Sequence, residues 1–124
     1  MSEPRFRLRA TVLGTPDPRR LADFYRELLG WVITSADADW VTLRSADDGA
    51  GLSFQLEPGH VPPAWPDADQ GQQMQMHLDV AVDDLESAVA RATELGAVAE
   101  AYQPQNDVRV LRDPDGHLFC LFEH

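Results

Sequence analysis

His77 and Asp79 are two ionisable side chains set two residues apart in the run Gln75-Met76-His77-Leu78-Asp79-Val80-Ala81-Val82. Side chains alternate across a strand, so residues i and i+2 share a face. The run then sorts into Met76, Leu78, Val80 and Val82 on an apolar face, and Gln75, His77, Asp79 and Ala81 on the other. An imidazole titrates near neutral pH, so His77 has two chemistries open to it: general base with Asp79 beside it, or metal ligand. A plainer reading stands next to these, in which His77 is a hydrogen-bonded histidine in a cleft wall and Asp79 a solvated carboxylate. Trp31, Trp40 and Trp65 offer an aromatic slot for a flat or cationic ligand, although Trp31 directly follows Gly30 and reads first as packing. Trp65 sits in a proline-rich stretch, where a large aromatic fits either a cleft cap or an oligomer contact. Arg109 and Arg112 are open to an anionic substrate or to plain surface charge, and His60, His117 and His124 receive no role.

The elements that hold these residues are written twice. Strand, Asp17-Pro18, helix and Leu29-Gly30 recur as strand, Asp83-Asp84, helix and Leu95-Gly96, at an offset of about 66–67 residues. Residues 6–15 read as a strand, Asp17 as a helix N-cap and Pro18 as the first helical residue, where a missing N–H costs nothing. Leu21, Phe24, Tyr25, Leu28 and Leu29 make one apolar helical stripe, which Gly30 ends. Strands are expected near 31–36, 39–45 and 51–57, with Ala46-Asp47-Asp48-Gly49 as a turn. Leu52, Phe54 and Leu56 form the apolar face of the last of these, leaving Ser53, Gln55 and Glu57 on the other. In the second copy a strand over 74–82 leads to the stripe Leu85, Ala88, Val89, Ala92 and Leu95, which Gly96 ends. Strands near 97–102, 107–112 and 117–123 complete it, the last two joined by the turn Asp113-Pro114-Asp115-Gly116.

The expected fold is therefore α+β, one domain over residues 1–124 built of two βαβββ modules that form a cupped, open mixed sheet. Module 1 spans about 6–57, a linker about 58–72 and module 2 about 73–124. Each half is about 55–60 residues long and marginal alone, so a shared core is expected. Pro58, Pro62, Pro63 and Pro66 stiffen the linker along one surface path. Both modules put a polar row on the face away from the helix, and two curved sheets facing each other would line a cleft with those rows.

Composition narrows the partners. The net charge of −11 works against nucleic acid, whose phosphates it would repel, and is compatible with a cationic ligand or with solubility alone. No apolar run reaches membrane-spanning length and the start MSEPRFRLRA has no signal-peptide core, so a cytoplasmic protein is expected. Cys120 is the single cysteine, which excludes an intrachain disulfide and suits a reducing compartment.

The sequence resembles the vicinal oxygen chelate superfamily of glyoxalases, extradiol dioxygenases and bleomycin-resistance proteins. Thr15-Pro16-Asp17-Pro18, Phe24-Tyr25 and Leu28-Leu29-Gly30-Trp31 carry the likeness in the first module. In the second it is carried by His77-Leu78-Asp79-Val80, Asp83-Asp84-Leu85, Leu95-Gly96-Ala97 and Asp113-Pro114-Asp115-Gly116-His117 with Phe119-Cys120-Leu121. Metal-dependent members take one ligand from the first and one from the last strand of each module. Carried over, these positions are Ala10, Gln55, His77 and Cys120. Ala10 has no donor, Gln55 has a weak carbonyl donor, His77 is intact, and Cys120 is a soft donor where Glu is usual.

The resemblance implies a small-molecule binding protein of the glyoxalase/bleomycin-resistance class that lacks the usual metal site. The alternative is a metal-dependent lyase or dioxygenase using His77, with Zn, Ni, Fe or Mn held by His77, Gln55 and Cys120. Gln55, His77, Asp79, Cys120, Trp40 and Trp65 are the expected cleft residues, the ligand a cationic or aromatic small molecule, and the assembly a homodimer.

Overall fold

The first strand ends at a buried threonine that starts the first helix. Thr15 is fully buried, and its Oγ1 accepts the Asp17 N–H at 3.0 Å. Asp17 in turn accepts the Arg20 N–H at 3.2 Å, and Pro18 occupies the first helical turn. The computed structural model describes residues 3–69 and 71–124; Met1, Ser2 and Gln70, which belong to the expected domain and linker, lie outside the described residues. Two compact units divide the chain after Pro58.

In the first unit β1 (Ala10–Thr15), α1 (Pro18–Leu29), β2 (Val32–Ala36), β3 (Trp40–Arg44) and β4 (Gly51–Leu56) follow in order. The open sheet runs β1-β4-β3-β2, with β1 parallel to β4 and the other pairs antiparallel. Leu21, Phe24 and Tyr25 of α1 are buried over it, and Tyr25 stacks on Phe54 of β4 at 5.9 Å. Burying such side chains stabilises by roughly 1.5–3 kcal/mol each, which is what clamps the helix to the sheet. Gly30 stops α1 at φ 71°, its N–H bonded to the Arg26 carbonyl at 2.9 Å. In the β3–β4 turn the Ser45 hydroxyl donates to Asp47 and holds its carboxyl below the usual range, helped by the Gly49 N–H.

The second unit repeats the order as β5 (Leu78–Val82), α2 (Leu85–Leu95), β6 (Val98–Ala99), β7 (Val108–Arg112) and β8 (Leu118–Glu123). Its open sheet is β5-β8-β7-β6, again with first and last strands parallel. Phe119, Leu121 and Leu111 are fully buried, whereas Ala92 is the buried residue of α2. Asp84 makes no side-chain cap for α2; the Glu123 carboxylate, arriving from β8, accepts the Leu85 N–H at 3.0 Å instead. The fold is thus the expected α+β pair of βαβββ modules, each with its own four-stranded mixed sheet.

Several boundaries differ from expectation. The first strand begins at Ala10 rather than residue 6, because β4 begins at Gly51 and offers nothing further to pair with; Phe6 and Leu8 are exposed. β5 begins at Leu78 rather than 74, so Met76 is 78% exposed instead of lying under a helix. The strand expected over 97–102 shrinks to Val98–Ala99. A side chain takes over there: Gln103 accepts the Val110 N–H at 2.8 Å and donates to the Val110 carbonyl at 3.0 Å.

The proline-rich stretch is packed onto the second module. Arg112, paired with Glu100, donates to the carbonyls of Pro63 and Gly116 at 2.9 Å each. Asp113, 3% exposed, accepts the N–H groups of Asp115 and His117 at 2.9 and 3.0 Å, and Gly116 follows at φ 88°. A Cβ on Gly116 would stand 2.6 Å from Cβ of Pro62. Gly116→Ala is therefore expected to cost about 2–4 kcal/mol, from left-handed strain plus overlap, read as a lower denaturant midpoint at unchanged slope.

Candidate functional site

The face of the β5-β8-β7-β6 sheet turned away from α2 carries the ionisable cluster. Parallel pairing sets Asp79 of β5 opposite Cys120 of β8, and antiparallel pairing sets Cys120 opposite Val110 of β7. Alternation then brings Leu118, Cys120 and Phe122 to the same wall as Val108 and Val110. His77 precedes β5 by one residue, yet its Nε2 lies 2.9 Å from Asp79 Oδ1. The pair is open to solvent, with side-chain exposures of 38% for His77 and 62% for Asp79. The donor atoms of His77, Asp79 and Cys120 all lie within 4.8 Å of one another.

A cavity of about 610 Å³ covers this cluster. Its wall includes Trp65, held by a ring contact with Tyr102 at 5.8 Å, and Phe122. The charged lining residues besides the cluster are Asp107 and Glu123, and no arginine is among them. The Cys120 thiol is pushed above its ordinary range, first by burial and second by the negative charge of Asp79. It is therefore mostly protonated near neutral pH and less reactive than an ordinary free thiol.

Expected site residues thus fall in two groups. His77, Asp79, Cys120 and Trp65 share the second-module cavity. Gln55 and Trp40 belong to the first module, where they sit opposite one another across β3 and β4. Gln55 donates to the Glu57 carboxylate at 2.8 Å, and Trp40 donates from Nε1 to Thr42 Oγ1 at 3.2 Å. Arg109 donates to the carbonyls of Gln105, Asn106 and Val108, and Arg112 is spent on Glu100 and two carbonyls, so neither is presented to a substrate. His60 and His117 stack at 4.6 Å, and His60 Nε2 reaches the Asp115 carbonyl at 2.8 Å. Asp107 and Glu123 were missed from sequence. Extending the face-sorting to β7 and β8 finds Leu118, Cys120 and Phe122, but not a loop residue or a strand end.

The four-position metal arrangement does not fit this chain, because Ala10 of β1 brings no donor atom. One imidazole, one carboxylate and one thiol within the second module fit a zinc-like ion in kind and spacing, though the thiol must lose a proton it holds tightly.

A family model of the glyoxalase-like domain matches residues 10–122. Solved structures share the fold: a glyoxalase/bleomycin resistance protein/dioxygenase family enzyme from Burkholderia phytofirmans superposes with a TM-score of 0.72 at 16% identity, covering 95% of this chain and 98% of that one. A glyoxalase family protein from Bacillus cereus gives 0.68 at 18% identity over 99% and 97%. A bleomycin-binding protein complexed with bleomycin gives 0.60 at 26% identity over 93% and 96%. A search of curated proteins finds no match. Two βαβββ modules, each closed by a parallel first and last strand, define the vicinal oxygen chelate class. Within it, this chain belongs to the glyoxalase-like domain family.

The thiol's environment is directly measurable. Alkylation of Cys120 by iodoacetamide at pH 7–8 should run slower than for an ordinary free thiol. Asp79→Asn should speed it only in part, because removing the carboxylate's charge leaves the larger effect, burial, in place.

Proposed function

We propose that this protein binds a flat organic cation in the second-module cavity, in the manner of the bleomycin-resistance branch, and works without the usual metal site. The sign of the cavity wall carries this reading. Asp79, Asp107 and Glu123 contribute negative charge, no arginine lines the wall, and Trp65 and Phe122 supply ring faces. Carboxylates attract the cation from a distance, and a ring face adds about 0.5–2 kcal/mol as it desolvates. The bleomycin-binding structural relative supports a ligand-holding role for the fold. The absence of a donor at Ala10 favours binding over catalysis. A cytoplasmic homodimer that leaves nucleic acid and membranes alone goes with the reading; among the described residues no helix is long and apolar enough to cross a membrane.

Calorimetric titration with berberine, a flat organic cation, tests it. Micromolar binding is expected, with Asp107→Asn and Trp65→Phe each weakening it by about tenfold and added salt weakening it further. A neutral polycyclic ring binding equally well would remove the basis of the proposal.

The alternative, a metal-dependent lyase or dioxygenase using His77, is supported by one observation: three donors within 4.8 Å. Elemental analysis of protein purified without chelator distinguishes the two. The binding reading expects no stoichiometric Zn, Ni, Fe or Mn. A full equivalent of metal, lost in both His77→Ala and Cys120→Ser, would replace it with the metal reading.

A further inference from the structure

The first module carries a cavity of opposite character, and nothing in the proposed function uses it. The space is about 580 Å³ and lies over the β1, β4 and β3 strands. Two arginines, Arg9 and Arg44, line it, and no carboxylate does. Within the secondary-structure elements and their loops arginines are spent, Arg19 and Arg26 on Asp23, Arg91 on Glu94, Arg112 on Glu100 and Arg109 on loop carbonyls, while Arg5 and Arg7 lie in the exposed segment before β1. Among the described residues Arg9 and Arg44 have no such partner. Acidic residues number 21 against 10 basic ones, so a shortage of carboxylates does not explain two unspent guanidiniums in one cavity.

A glycine stands between the backbones of the two. Gly51 donates its N–H to the Arg9 carbonyl at 3.0 Å on one side. On the other, a Cβ placed on Gly51 would stand 3.6 Å from Cα of Arg44 and 2.4 Å from the Leu43 carbonyl oxygen. A Cβ at Gly51 would thus overlap the β3 backbone, so at this point β4 lines the cavity with backbone alone. Thr42 and Ser53, paired across β3 and β4, add hydroxyls to the same cavity. Trp40, 37% exposed, stands on the same face of β3 as Thr42. Two planar guanidinium forks match a carboxylate, hydroxyls complete its acceptor sites, and the indole offers a face to a flat ring.

We propose that the first-module cavity is a binding site for an aromatic carboxylate, with Arg9 and Arg44 on the carboxylate and Trp40 against the ring. This goes beyond the cation-binding reading and stands on different residues, so either can fail alone.

The test is calorimetric titration of the full-length protein with 2-naphthoate, its neutral isostere 2-naphthamide, and inorganic phosphate. Naphthoate should bind, with naphthamide at least about tenfold weaker. Arg9→Gln and Arg44→Gln should each weaken naphthoate by about five- to tenfold, and Trp40→Leu by about fivefold. Thermal melts of the arginine variants should match the parent, since both side chains are exposed. Trp65→Phe, in the other module, should bind naphthoate unchanged. Equal binding of the amide, an unaltered affinity in the Arg9→Gln/Arg44→Gln double variant, or phosphate binding as tightly as naphthoate would each overturn the assignment.

Discussion

Both modules depend on one pairing: the first strand of each lies parallel to its last. Parallel neighbours cannot be joined by a tight turn, so the chain must cross over, and here the crossover is a helix followed by two antiparallel strands. The helix is thereby forced onto one face of its own sheet, and the other face is left for the residues that line a cavity. In the second module the register of this pairing decides the chemistry. Asp79 stands opposite Cys120 because Leu78 stands opposite Phe119. A slip of one residue would turn Cys120 under the helix and Phe119 into the cavity.

Periodicity and turn chemistry make the architecture legible in the sequence. Asp17-Pro18 and Gly30 bound α1 as read, and the stripe of Leu21, Phe24 and Tyr25 is buried as read. Strand ends were less legible, because a strand extends only as far as its neighbour does. Alternation alone would carry the first strand back to Phe6, and only the start of β4 at Gly51 cuts it at Ala10. The candidate cluster was legible from one strand face for His77 and Asp79, and from the family resemblance for Cys120. The site was illegible where a loop folds back: Asp107 and the partners of Arg112 come from segments with no period. Gln103 posing as a strand amide leaves no trace in composition at all.

The two modules share a plan but not an electrostatic character. Gene-level repetition would predict two similar cavities. Instead one wall holds three carboxylates and no arginine, the other two arginines and no carboxylate. The backbone pattern tolerates this divergence because the side chains facing each cavity are not those that pack the helix. Leu21, Phe24 and Phe54 keep the first module folded, and Phe119 and Leu121 the second. Neither set constrains what the opposite faces carry, which is how one scaffold holds different chemistry in its two halves.

The Gln103 carboxamide has a consequence for how copies of this protein meet. β6 is only two residues long, so much of β7 would otherwise show a free rim of N–H and C=O groups. Such a rim invites a strand from another molecule to add itself, and growth of that kind ends in aggregates. By taking both the Val110 N–H and its carbonyl, Gln103 fills the rim with a group that cannot pass the pairing on. Arg109, folded back on the carbonyls of Gln105 and Asn106, holds in place the loop that brings it there. One amide side chain thereby acts as a hem on the sheet.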